Sequence, residues 1–165
     1  PDVASWKSAP LDKAVHIMGA PAVELFASTT GTDSDWVVKL IDVYPNDVPE
    51  GAAQGSKASV AGFELPIGIE IFRGRYLKSF AVPAPLKAGK VEQYRWELPN
   101  VDHVFLPGHR IMVQLQSSLF PLYDRNPQTY VENIMYAKPA DYKKATQSVW
   151  FGGATSTAVV LPVVH

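Results

Sequence analysis

Cysteine is absent from this 165-residue chain, which excludes disulfides and thiolate metal sites and leaves the redox compartment open. No apolar run approaches the ~18 residues that a membrane-spanning helix requires. Neither charge dominates: 15 basic residues face 16 acidic ones, a formal net charge of −1. That balance supplies no electrostatic footprint for nucleic acid or for an anionic membrane. No Asn-x-Ser/Thr acceptor occurs. The chain opens Pro1-Asp2-Val3 without an initiator Met, a basic n-region or a signal-like apolar segment, so it is expected to be a piece of a longer protein.

Catalytic signatures are missing too. A serine hydrolase on an α/β sheet needs a strained Gly-x-Ser-x-Gly elbow, and the nearest pentapeptide, GSKAS from Gly55, lacks the closing glycine. Ser117 or Ser118 with His109 and Asp124 makes a triad on paper, but any β domain offers such a triple. His109 follows Pro107-Gly108, where a half-exposed structural histidine is the plainer reading. His103 and His109 are separated by a turn and no His-x-His exists, so the paired-histidine metal site of β-sandwich oxygenases is not expected. Asp33 and Asp35 in the run TDSD are weak candidates for calcium, with solvated turn carboxylates as the commoner explanation. Trp6, Trp36, Trp96 and Trp150 invite a sugar-stacking reading, yet aromatics at strand periodicity are more often core. No cofactor is called for, and no catalytic constellation emerges.

What the chain has is a period of two. Ile111, Val113 and Leu115 share one face against Gln114 and Gln116; Tyr94, Trp96 and Leu98 oppose Gln93, Arg95 and Glu97. Residues 67–72 set Ile67, Ile69 and Ile71 opposite Gly68, Glu70 and Phe72. Residues 22–29 and 35–44 read as strands apolar on both faces, and 157–164 closes the chain with Pro162 favouring an edge. About eight strands with Gly/Pro/Asn punctuation predict an all-β antiparallel sandwich or jelly roll. Fourteen prolines oppose a helical domain. Residues 44–59 read as a polar, Gly-rich loop, and 138–147 holds a candidate short helix, near 139–146, with Pro139 in its first turn. Neither an internal repeat nor a linker divides residues 1–165, which read as one domain.

One stretch resists this pattern. Residues 117–130, SSLFPLYDRNPQTY, follow the cleanest strand yet carry two prolines, three aromatics and Asp124-Arg125-Asn126. Phe120, Leu122 and Tyr123 suit an interface, and Asp124 and Arg125 can form charge-assisted bonds across one. Alternatively, Asp124, Arg125 and Asn126 fix their own turn by bonding to the backbone.

Three segments carry a family likeness: TTGTDSDWVVKLIDVYP, VFLPGHRIMVQLQSSLFPLYDRNPQTY and AVVLPVV. They resemble the C-terminal domain of the X-Pro dipeptidyl-peptidase and cocaine esterase family of serine hydrolases. NPQTY and KPADYKKATQ point to the α-amino acid ester hydrolase and glutaryl-type cephalosporin acylase branch. The likeness runs from residue 5 to 164. It implies a galactose-binding-like jelly roll that packs on the α/β-hydrolase and helical cap domains of its own longer chain, with Ser, Asp and His of the triad all in the hydrolase domain. No catalytic residue therefore transfers to this chain. The 117–130 stretch, with Phe120, Leu122, Tyr123, Asp124, Arg125 and Asn126, is expected to dock on those domains and to help wall the substrate cleft. The resemblance also admits a homo-oligomer formed through the parent. A carbohydrate-binding jelly roll is the alternative.

Overall fold

Strand alternation sets which side chains turn inward. In the computed structural model, which describes residues 2–47 and 59–164, β8 (Arg110–Gln116) turns Leu115 into the core with Ile111 and Val113 beside it. Strand β6 (Glu92–Glu97) buries Tyr94, and Leu98 just beyond it, leaving Gln93, Arg95 and Glu97 outside. These faces match the sequence pattern. The remaining strands are β1 (Val3–Lys7), β2 (Val15–Gly19), β3 (Ala22–Thr29), β4 (Asp35–Val43), β5 (Glu64–Arg73), β7 (Val101–Phe105), β9 (Gln147–Val149) and β10 (Ala158–Val160).

Every strand pairing is antiparallel. One sheet has the order β1-β8-β4-β5, a second the order β10-β3-β6 with β9 also on β3, and β2-β7 forms a ribbon. Ile17, Leu25, Trp36, Leu40, Phe72, Tyr94, Phe105 and Leu115 come from all three and form one core cluster between the layers. The fold is a jelly-roll β-sandwich. Aromatic rings fill its centre: Phe72 lies 5.6 Å from both Tyr94 and Trp96, and Trp36 5.5 Å from Tyr94. Burial pushes the Tyr94 hydroxyl up to about 12.

Strand β5 carries a bulge. Its register against β4 shifts between Leu40 and Ile41, so that Leu40 faces Gly68 while Ile41 faces Pro66. Gly68 and Phe72, on one face, are the buried residues of β5, and Ile67, Ile69 and Ile71 are partly buried. Residues 161–164 leave β3 beyond β10 and run beside β2, with the Met18 N–H donating to the Pro162 carbonyl at 2.9 Å. Pro162 thus sits where it owes no ladder hydrogen bond.

Three expectations need correction or limits. The short helix near 139–146 is one 3-10 turn, Pro139–Asp141. The Lys143 N–H turns to the Pro127 carbonyl and the Thr146 N–H to Thr30 Oγ1, both at 2.9 Å, so no helical ladder forms. Strands β1, β2, β7 and β9 add to those read from the sequence; they are short, and polar residues interrupt their apolar faces. Of the loop at 44–59, residues 48–58, including most of GSKAS, lie outside the described residues. Its base is closed by the Tyr44 N–H on the Phe63 carbonyl and the Gly62 N–H on the Pro45 carbonyl, each 2.9 Å.

Candidate functional site

The paper triad is undone by strand geometry. His109 precedes β8 and Ser117 and Ser118 follow it, so seven residues of extended chain hold them roughly 20 Å apart. His109 is buried and serves another carboxylate: its Nδ1 lies 2.8 Å from one oxygen of Asp42, and His103 Nε2 lies 2.9 Å from the other. Asp42 is 1 % exposed, and the His109 ring centre lies 4.5 Å from that of Tyr44, the two planes inclined by 46°. A buried carboxylate held by two imidazoles ties β4, β7 and the start of β8 together.

Asp33 and Asp35 are not solvated turn carboxylates. Both are buried. Asp33 Oδ2 accepts from Arg75 Nη2 at 2.6 Å and Nε at 2.9 Å, while its Oδ1 accepts from the Ser34 N–H. The Arg75 guanidinium also donates to the carbonyls of Val131 and Glu132 and lies 5.0 Å from the Tyr130 ring. Removing either partner of such a buried pair costs about 3–5 kcal/mol. Asp35 accepts from Asn126 Nδ2 at 3.0 Å, with Arg73 Nε 4.0 Å away. Burial raises its pKa to about 6, the two arginines and Asn126 pulling the other way and Asp33 adding to the rise. These oxygens are committed to guanidinium and amide donors, and among the described residues no group of three or more His, Asp and Glu converges as a metal site would require.

The same contacts anchor the odd stretch from beneath. Asn126 is buried, and its Oδ1 accepts from the Gln128 N–H at 2.8 Å. Asp124 lies 3.6 Å from Arg73. The Thr32 N–H donates to the Gln128 carbonyl, and the Tyr130 N–H to Thr32 Oγ1. Gln128 adopts a positive φ of 62°, and its carbonyl oxygen sits 2.1 Å from where a Cβ on Gly31 would lie. Only glycine at position 31 lets the loop settle this closely. The Tyr123 hydroxyl is 3.5 Å from Glu70, and its pKa is raised by desolvation first and by Glu70 second.

The upper side of the stretch is different. Phe120 and Leu122 are each 66 % exposed. Arg125 points outward, its guanidinium 5.7 Å from the Phe120 ring and 5.6 Å from that of Tyr142. The six suggested residues thus divide: Asn126 is buried as a staple, Asp124 is half-exposed beside Arg73, Tyr123 is partly buried, and Phe120, Leu122 and Arg125 face out.

Other apolar side chains are exposed as well. Phe80 is 83 % exposed, Tyr136 81 %, Met135 70 % and Val82 65 %. With Phe120 and Leu122 these are the six most exposed large apolar side chains among the described residues. They lie on two segments that are bonded together, through Arg75 to the 131–132 carbonyls and through the Tyr130 hydroxyl to the Pro83 carbonyl at 3.3 Å. Sequence reading missed Phe80, Val82, Met135 and Tyr136, although proline and serine around 79–85 marked a loop that no buried strand needs. Trp6, 40 % exposed and edge-on to Phe151 at 5.3 Å, departs from the core role expected of the tryptophans; Trp36 fulfils it.

The candidate catalytic groups of this β-sandwich are dispersed, and its six most exposed large apolar side chains lie on two bonded segments. Residues 1–160 match the model of the X-Pro dipeptidyl-peptidase C-terminal non-catalytic domain, and the chain belongs to that family. Cocaine esterase from Rhodococcus sp. (strain MB1 Bresler) is 34% identical over 128 residues, which are 78% of this chain and 20% of that protein. A crystal structure of an α-amino acid ester hydrolase superposes with a TM-score of 0.92 at 52% identity, covering 99% of this chain and 26% of that one. An aminopeptidase from a marine sediment archaeon, Thaumarchaeota archaeon, gives 0.92 at 51% identity with the same coverage. The chain therefore spans a fifth to about a quarter of the length of these relatives.

Proposed function

We propose that this chain is the C-terminal, non-catalytic domain of a longer ester, peptide or acyl-amide hydrolase, and that it docks on the α/β-hydrolase and cap domains through the surface made by Phe80, Phe120, Leu122, Met135 and Tyr136. Docked there, residues 117–130 help wall the substrate cleft. One observation carries the reading: the most exposed apolar side chains share two bonded segments instead of scattering. Isolated exposed apolar residues are ordinary, whereas a concentration of them marks a contact surface. The polar staples below keep that surface in shape, so little conformational entropy is lost when it meets its partner.

The test compares two settings. Phe120→Ala is expected to leave the melting of the isolated domain nearly unchanged, since its ring is mostly solvent-exposed. In the longer chain the same change is expected to lower stability or kcat/KM by roughly 1–3 kcal/mol, the range for an interface anchor. The docking reading fails if the isolated domain loses that stability and the kinetics of the folded longer chain stay the same.

A further inference from the structure

The docking surface has a charge to satisfy. Among the described residues no carboxylate lies within ion-pair distance of Arg125, although Asp124 is its neighbour in sequence. Asp124 is turned to Arg73, 3.6 Å away, and Asp141 accepts from the Lys138 N–H at 2.7 Å. The guanidinium instead lies beside two rings, Phe120 at 5.7 Å and Tyr142 at 5.6 Å. Lys143 and Lys144, next to Tyr142, are exposed and make no ion pair among the described residues. On residues 117–144 the exposed cations Arg125, Lys138, Lys143 and Lys144 outnumber Glu132, the one exposed carboxylate there without an ion pair among the described residues.

Ring contacts restrain the guanidinium while leaving its N–H donors unused. A planar fork held in that way matches a carboxylate, which can accept two parallel hydrogen bonds from it. We propose that Arg125 is a carboxylate receptor: an Asp or Glu side chain on the domain that covers this surface seats on the Arg125 fork, with its aliphatic surroundings against Phe120 and Leu122. This rests on the docking reading above and adds the chemistry of the partner to it. Lys143 and Lys144 assist by raising the local positive potential, and the rings supply the desolvated walls that make a bidentate pair worth more than a solvent-exposed one. The charges on this loop are thus split: Asp124 pairs with Arg73 of its own domain, and Arg125 faces outward.

The experiment uses the longer chain and reads amide hydrogen exchange in two regions, segment 117–142 and the core strands β4 and β8. Arg125→Glu is expected to raise exchange in 117–142 by about tenfold or more, with Arg125→Lys intermediate because it keeps the charge and loses the fork. Tyr142→Ala should reproduce part of the effect, and Tyr142→Phe, which keeps the ring, should not. Replacing the facing Asp or Glu by Arg should restore protection to Arg125→Glu. Unchanged exchange in 117–142 for Arg125→Glu, while Phe120→Ala raises it, overturns the carboxylate receptor and leaves the docking reading standing. If neither change raises it, both fall. A rise that extends equally to β4 and β8 also overturns the receptor, since the effect is then internal to the sandwich.

Discussion

A carboxylate that keeps its proton to unusually high pH sits under the loop that carries the exposed apolar side chains. Asp35 has a folded pKa of about 6 against an ordinary 3.8, mainly because burial penalises its charge. The sign follows from proton counting. Between these two values the folded chain holds a proton that the unfolded chain has released, so stability falls as pH rises from about 4 to about 6. The full difference is on the order of 3 kcal/mol. Asp35→Asn removes the titration and keeps an acceptor for Asn126. Chemical denaturation from pH 4 to 7 should therefore show a shallower decline for Asp35→Asn than for the unaltered chain, and parallel curves would contradict the assignment. Asp35 lay in the sequence beside Trp36 as a plausible solvated turn residue; its burial depends on Asn126, 91 positions away, which no local pattern encodes.

At the scale of elements, alternation carried most of the information. The inward faces of β6 and β8 follow directly from which residues are apolar, because one face of each strand must leave water. The register shift of β5 was not legible, since a bulge is a property of the pairing with β4 and not of either strand alone. The loops were less legible. Residues 138–147 look helical by composition, yet their amides find acceptors on residues 127 and 30, a competition set by the tertiary fold. The candidate site shows the same division: Phe120, Leu122 and Arg125 stood out as apolar and charged residues in a proline-broken loop, whereas Phe80 and Met135 joined them only through contacts made by Arg75 and Tyr130. Gly31 offers a direct test of this packing. A Cβ there would lie 2.1 Å from the Gln128 carbonyl oxygen, backbone against backbone, so Gly31→Ala must displace the segment around Gln128. We expect a loss of roughly 1–3 kcal/mol in thermal or denaturant unfolding. A change of only a few tenths would mean that the loop gives way freely and is not a rigid platform.

For the whole molecule, dispersal of chemistry is the governing fact. His109 serves Asp42, Ser117 lies at the other end of β8, and Asp33 serves Arg75. The isolated chain should hydrolyse p-nitrophenyl acetate no faster than a denatured control; turnover abolished by one serine substitution would reopen the question of a self-contained enzyme. Carbohydrate binding is likewise not expected, because Trp36 is buried and Trp6 meets Phe151 edge-on instead of offering a flat platform. Intrinsic fluorescence titrated with a galactoside, xylan and cellulose series should show no saturable change with a Kd below ~1 mM.

Strand β4 joins two distant fixings. At its start Asp35 and the preceding Asp33 hold the loops that carry the exposed apolar side chains, and near its finish Asp42 grips His103 and His109. Nine residues of extended chain separate the ends of this strand, roughly 30 Å, and it is flanked on both sides by β5 and β8. Mechanically this is a beam clamped at both ends and glued along both edges. Pulled along β4, the molecule would resist in shear, many ladder bonds sharing the load at once, and would yield abruptly rather than strand by strand.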